Sequence, residues 1–246
     1  MQELELLRYV ADHARTAPHV PVGPGDDMAV VRMGDELVLL TVDQVVDGRH
    51  VRLDAITLEE AGRKALTRSL SDVAAMAGTP SAALAAVTLP PSFGQARAQT
   101  LFDAMERTAH EYACPLVGGD IAFHADDVAP LVMSVTVVAR PGPAGPVLRS
   151  GAVVGDGVYV TGVLGRAWKG THHLTFTPRL QTALALAEAL GPRLHAMMDL
   201  SDGLGRDACR LAEASGVSLD LGASELPRRD DATWTEAVGD GEDYEL

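Results

Sequence analysis

Positive charge is what this chain is shortest of. Twenty Lys and Arg stand against 34 Asp and Glu, for a formal net charge of −14 over 246 residues. No stripe of Lys and Arg is available to neutralise phosphate backbones, which excludes nucleic acid as a partner and disfavours an anionic membrane surface. Acidity also serves solubility alone, so by itself it names no function. Cysteine is nearly absent: Cys114 and Cys209 lie far apart, form no CxxC pair, and read as reduced packing residues in or beside helices. No apolar run reaches the ~18 residues of a membrane span, and no signal peptide opens the sequence, so a cytoplasmic protein is expected. Internal repeats and low-complexity tracts are missing too.

Several families of chemistry are excluded by motifs that do not occur. There is no GxxxxGK[ST] phosphate loop, no GxGxxG after a strand, no HExxH, no GxSxG elbow, and no HRD or DFG set. The adjacent His172-His173 lacks an i, i+4 partner and reads as a loop pair. What is present instead is a dispersed set of carboxylates. Leu37 to Val42 is an apolar run that reads as a strand buried on both faces; it ends on Asp43, with Asp47-Gly48-Arg49-His50 following. A carboxylate at the mouth of a buried strand is costly unless something there needs it. Gly25-Asp26-Asp27 lies upstream, and Asp72, Asp120, Asp199 and Asp202 follow downstream, close to Gly or Ser and to apolar runs. Carboxylates gathered from several element ends point to hard cations, and hard cations commonly accompany phosphates. Mg²⁺ keeps its waters and takes few protein ligands per ion, which explains why these Asp residues come singly from different turns.

In order, residues 2–14 carry Leu4, Leu6, Leu7 and Val10 at helical spacing, and Pro18, Pro21 and Pro24 then hold an extended arm. Residues 28–32 and 37–42 read as strands joined at Gly34-Asp35. Thr57-Leu-Glu-Glu60 is a capping box opening a long helix, expected to close at Gly78 and Pro80. On that helix Lys64, Arg68 and Asp72 share one face, while Leu66, Leu70, Val73 and Ala77 form the buried stripe. An ion pair of Asp72 with Arg68 is the plainer alternative, but the small residues around Asp72 leave room for a ligand. A strand over 82–89, an amphipathic helix over 95–112, a short strand at Leu116-Val117 opening into a Gly118-Gly119-Asp120 turn, and a strand over 131–139 follow. Two glycines let a backbone approach a phosphate, although a GGD turn needs no function.

Pro141 to Pro146 is the best boundary, dividing 1–140 from 147–246. Beyond it, strands are expected at 158–161 and 217–221, a helix at 180–190 stopped by Gly191-Pro192, and a helix over 202–214 with Ser201 as its N-cap. Ser201 and Asp202 either cap that helix only or converge with Asp199 on a ligand. The closing GDGEDYEL reads as a glycine-acidic loop entering another strand. Strands and helices alternate in both halves, so the fold class is α+β, or α/β in two domains.

The order of these residues is that of a known family. GDD (25–27), TVD (41–43), GRH (48–50), KALTRSLSDVAAM (64–76), LVGGD (116–120), RSGAVVGD (149–156), YVTG (159–162), MDLSDGL (198–204) and GEDYEL (241–246) resemble the thiamine-monophosphate kinases of the aminoimidazole-ribonucleotide-synthase-like ATP-binding superfamily. The resemblance implies ATP-dependent phosphorylation of thiamine phosphate by direct in-line, Mg²⁺-assisted transfer. It implies a homodimer whose N-terminal sheets pair into a barrel-like core, and a C-terminal α+β domain without its usual tail. It further implies that Asp27, Asp43, Asp72, Asp120, Asp199 and Asp202 are metal ligands, with Asp43, Asp72 and Asp120 central to catalysis and Thr41 adding a contact. Gly119, Arg149 and Ser201 would contact ATP, with His50 and Glu242 facing the thiamine phosphate. Val42 departs from the usual Thr or Ser, Asp240 from a usual Gly, and the segment between Leu164 and Pro178 is short. Two other readings stand beside this one: a superfamily relative, phosphotransferase or ligase-like, acting on another small phosphorylated molecule, and a non-catalytic ATP-binding homologue.

Overall fold

A five-stranded sheet with one long helix laid across it carries the molecule, seen in a computed structural model that describes residues 3–15 and 17–246. Helix α1 (Glu3–His13) comes first, then the hairpin β1 (Ala29–Met33) and β2 (Glu36–Val46). Gly34 turns that hairpin with φ +65°, a conformation that costs a side-chain-bearing residue more than it costs glycine. Helix α2 (Leu58–Ala75) begins at the Thr57–Glu60 capping box, as its sequence predicts. Then follow β3 (Gly78–Leu89), α3 (Gln95–Glu111), β4 (Leu116–Phe123) and β5 (Val132–Pro141). The strand order is β1-β2-β5-β3-β4, antiparallel throughout except β3–β4. That parallel pair is possible because α3 makes the crossover between them.

One face of the sheet is the core. Leu39, Val45, Met133, Val135, Val137 and Ala139 are at most 1% exposed, and Leu66, Leu70 and Val73 of α2 belong to the same cluster. The opposite face is open, with Val42 at 61% and Leu84 at 41% exposure. So β2 is not buried on both faces, and it does not end at Val42: it runs to Val46, and Asp43 sits inside it on the helix-covered side. The apolar run looked uniform because three of its members, Val38, Leu40 and Val42, face the open side.

The structure departs from the sequence expectation at three further places. The helix ends at Ala75 rather than at Gly78, and Pro80 lies inside β3, tolerated by a register shift between Pro80 and Ala82. Gly118-Gly119-Asp120 is not a turn but the middle of β4; a Cβ on Gly119 would fall 1.8 Å from the carbonyl oxygen of Ala85, so the glycine is needed by strand pairing. His172 and His173 open a short helix, α4 (His172–Thr175), instead of a loop.

The remaining helices are α5 (Leu180–Leu190), α6 (Leu204–Ser215) and α7 (Trp234–Gly239). The expected strands at 158–161 and 217–221 are not strands, and the closing residues 241–246 are irregular. Among the described residues these stretches make only short pairings, such as Tyr244 N–H to Leu200 O at 2.9 Å and Thr161 N–H to Leu246 O at 3.1 Å, too few for a ladder. A small cluster of Leu164, Leu200, Leu204 and Ala237 lies in this half. The main cluster also draws on it, taking Leu180, Ala183, Met197 and Leu246. The Pro141–Pro146 segment is held against the sheet end by Gly142 N–H to Ala77 O at 2.9 Å. Leu6, Leu7 and Val10 on α1 are 44–51% exposed, so the stripe there is uncovered; the side chain of Leu4 lies outside the described residues. No described helix is long and apolar enough to cross a membrane.

Candidate functional site

Three carboxylates from three distant stretches meet beside α2. Asp27 follows the Gly25 turn, Asp72 stands on the fourth turn of α2, and Asp199 precedes α6. One oxygen from each lies within 4.8 Å of the other two. Each is held by a dedicated donor. Arg149 forks onto Asp27, Nε to Oδ2 at 3.1 Å and Nη2 to Oδ1 at 2.5 Å, while its own N–H donates to Asp26 Oδ2 at 3.1 Å. The Thr41 hydroxyl donates to Asp72, and the Ser71 hydroxyl donates to Asp199 Oδ2 at 2.6 Å. Burial pushes the Asp72 carboxyl well above its ordinary value, and the charges of Asp43, Asp199 and Asp27 push it the same way. Asp199 is raised likewise by burial and then by Asp27. Like charges this close in a dry pocket cannot all ionise unless a cation joins them.

The same face of α2 continues away from the cluster. Arg68, one turn back, donates to Gln44 O at 2.8 Å and lies 3.5 Å from Asp43 Oδ1. Burial raises the Asp43 carboxyl, with Arg68 opposing it. Lys64, another turn back, is fully buried. Its Nζ meets Glu242 Oε2 at 2.5 Å, His50 O at 2.7 Å and His173 Nδ1 at 2.8 Å, and lies 5.0 Å from the Trp168 ring centroid. Burial lowers the Lys64 ammonium to about 8, and Glu242 partly offsets that. His50 is held near 4 by burial and by the cations Arg68 and Lys64; its Nδ1 accepts from Val46 N–H at 3.1 Å. Glu242 (φ +71°) and Tyr244 (φ +51°) are both left-handed, and Tyr244 Oη donates to Glu242 at 3.1 Å. This alternation turns successive side chains of GEDYEL to different neighbours, and Asp243 and Glu245 are buried against Arg229 and Arg179.

The candidates from sequence therefore divide. Asp27, Thr41, Asp43, Asp72, Asp199 and Arg149 come together, and His50 and Glu242 lie together on the Lys64 side. Asp202 stands apart and is paired with Arg210 at 2.6 Å. Ser201 is not the N-cap: α6 begins at Leu204 behind Gly203 (φ +100°), and the Ser201 carbonyl accepts from Glu242 N–H at 2.9 Å. The N–H of Asp202 is instead taken by the buried Asp207, whose carboxyl burial raises to about 6. Asp120 does not reach the cluster within one chain. The register sets Asp120 in a row with Ala86, Ser134 and Gln44, one residue out of step with Asp43, Val135 and Ala85. Neighbours in a row share a face, so Asp120 points to the open side, three strands or roughly 14 Å away. On the covered side of the same edge, Gly119 and Asp120 border an apolar cavity of about 580 Å³ walled by Val87, Leu101, Phe102 and Met105.

Sequence reasoning missed Ser71, Tyr244, Asp207 and His173. Ser71 adjoins Asp72 and was legible only as a small residue. The other three are recognised by burial, which their sequence neighbourhoods hide.

Comparison with known proteins adds an independent line. Residues 25–140 match the family described as AIR synthase related protein, N-terminal domain. A thiamine-monophosphate kinase of Rhodopirellula baltica is 34% identical over 262 residues, covering 99% of this chain and 80% of the relative. One from Mycobacterium tuberculosis is 35% identical, covering 91% and 70%. A solved structure described as AaThiL complexed with AMPPCP and TMP superposes with a TM-score of 0.79 at 27% identity, covering 98% of this chain and 82% of that one.

Proposed function

Since the chain belongs to the thiamine-monophosphate kinase family, we infer that it transfers a phosphoryl group from ATP to thiamine phosphate, and that the acidic cluster beside α2 is where the ATP phosphates are held. The observation that carries the site assignment is the meeting of Asp27, Asp72 and Asp199 within 4.8 Å. The donor set is all oxygen, buried and mutually repelling, which fits a hard divalent cation such as Mg²⁺. Asp27, Asp72 and Asp199 would hold it, with Thr41 and Asp43 alongside and Asp202 at the margin. When bound, such ions neutralise phosphate charge and fix the phosphates in line for transfer.

The chain's own residues supply the rest. Arg149, forked onto Asp27 beside the cluster, would offer its planar donors to a phosphate oxygen. His50 and Glu242, gathered by Lys64 one side of Arg68, would meet the acceptor while Asp72 lies on the other side. Gly119 leaves the strand edge clear beside the apolar cavity, whose apolar walls would take a nucleotide base, and Ser201 would contact the nucleotide. Asp120 completes the ligand set only from a second copy, which supports a homodimer joined through the open sheet face. Within that dimer residues 1–140 are read as the nucleotide and dimerisation domain and 147–246 as the second domain. The test is direct: incubation of the protein with ATP and thiamine phosphate, with Mg²⁺ or with EDTA. Thiamine diphosphate formed only with Mg²⁺ is expected; product formed equally in EDTA would rule out the metal reading, and none in either would rule out the kinase.

A further inference from the structure

Arg68 carries a donor that nothing in the protein uses. Its Nη1 donates to Gln44 O at 2.8 Å, and its Nη2 lies at a long 3.5 Å from Asp43 Oδ1. Its Nε is buried with no hydrogen-bond partner, the only such buried side-chain atom among the described residues. A buried N–H without an acceptor is destabilising, and native structures rarely tolerate one unless something else fills the place. The surroundings say what that something is. Arg68 stands on α2 one turn from Asp72 in one direction and one turn from Lys64 in the other. Tyr244, Asp43, Glu242 and Asp72 all lie within electrostatic reach of its guanidinium. The donor therefore lies on the helix face between the cation-type cluster and the Glu242–Lys64–His50 group.

Resting on the kinase reading above, we propose that Arg68 is a catalytic phosphoryl clamp whose Nε–H donates to a non-bridging phosphate oxygen in the loaded site. In the reaction, an oxygen of the acceptor phosphate forms a new bond to the γ-phosphorus as the bond to the β–γ bridging oxygen breaks. ADP leaves with that electron pair, and no proton need move. A guanidinium fixed over this path offers a planar, permanently charged donor where charge is redistributed. The oxygen belongs either to the transferring γ-phosphoryl or to the acceptor phosphate, the same chemistry from two sources. Asp43 and Gln44 hold the guanidinium by its other nitrogens, leaving Nε for the substrate.

Arg68→Lys keeps the charge and loses the fork, and Arg68→Gln loses both; steady-state kinetics and calorimetric binding of thiamine phosphate and of AMPPCP compare them with the unsubstituted chain. A kcat about 100-fold lower in both, with little change in either KM, supports the clamp acting on the transferring group. A KM for thiamine phosphate raised about tenfold, with that for ATP unchanged, supports it acting on the acceptor. Partial recovery of Arg68→Gln by added guanidinium ion supports either. Arg68→Lys with kcat and both KM values within threefold overturns the proposal. If the unsubstituted chain binds both ligands without turnover, a tenfold loss of either affinity in Arg68→Lys supports the clamp while the kinase reading fails. Equal affinities, or no binding by the unsubstituted chain, overturn the clamp.

Discussion

At the scale of single residues, the two histidines around Lys64 give a prediction with a sign. His50 Nδ1 accepts from Val46 N–H, and His173 Nδ1 can only accept from the Lys64 ammonium. Both arrangements require a neutral ring, and burial, with nearby cations, lowers each histidine to about 4. An unfolded histidine titrates near 6.5, so between these values the unfolded chain binds more protons than the folded one, and stability falls as pH falls. Between pH 7 and pH 4.5 the two histidines are expected to lower the unfolding free energy, read from urea titrations, by on the order of 1 kcal/mol each after solvent screening. His173→Gln should lose about half of that drop; an unchanged drop in a His50→Gln, His173→Gln double variant would mean that other groups set it. The order of the motifs names Asp27, Asp72 and Asp199 only within a set of six aspartates, and the fold brings these three together. The residues that hold them are hidden from that order. Ser71 reaches across 128 residues to Asp199, and Arg149 across 122 to Asp27, separations that no local spacing encodes.

At the scale of elements, helices were legible because period and caps agree: Thr57 and Glu60 start α2 where its apolar stripe starts, and Gly191 ends α5. Strands were legible where three or more neighbours share a ladder, as in β2 and β5. Beyond the main sheet they were not, since apolar stretches such as 158–161 meet a partner for only a residue or two. The sharpest departure concerns Gly119. Two glycines and an aspartate look like a turn, yet the glycine is needed for strand contact: β3 and β4 come too close there for a side chain. Gly119→Ala is therefore expected to prise the edge strand from β3 and cost on the order of 2 kcal/mol or more, read as a lower denaturation midpoint. A variant as stable as the parent would return Gly119 to a ligand-binding role alone.

At the scale of the whole molecule, Asp120 separates one-chain from two-chain sites. On the homodimer proposed above, Asp72→Asn and Asp120→Asn proteins are each expected to be inactive alone. Mixed after mild dissociation, they should recover roughly a quarter of parental activity, because half the dimers are hybrids and each hybrid has one intact site. No recovery, with hybrids demonstrated by mass, would put Asp120 in its own chain's site or in none. The stretch of left-handed residues around Glu242 and Tyr244 has another consequence. Glu242 reaches Lys64 on α2, Asp243 reaches Gly165 and Arg229, Glu245 reaches Arg179 and Thr161, and Leu246 joins the main core. On a ribosome, α2 and its sheet are complete about a hundred residues before this stretch emerges. Until then Lys64 has no carboxylate beside it, so the nascent chain is expected to wait, with this late-made hexapeptide acting as the latch on the half made earlier.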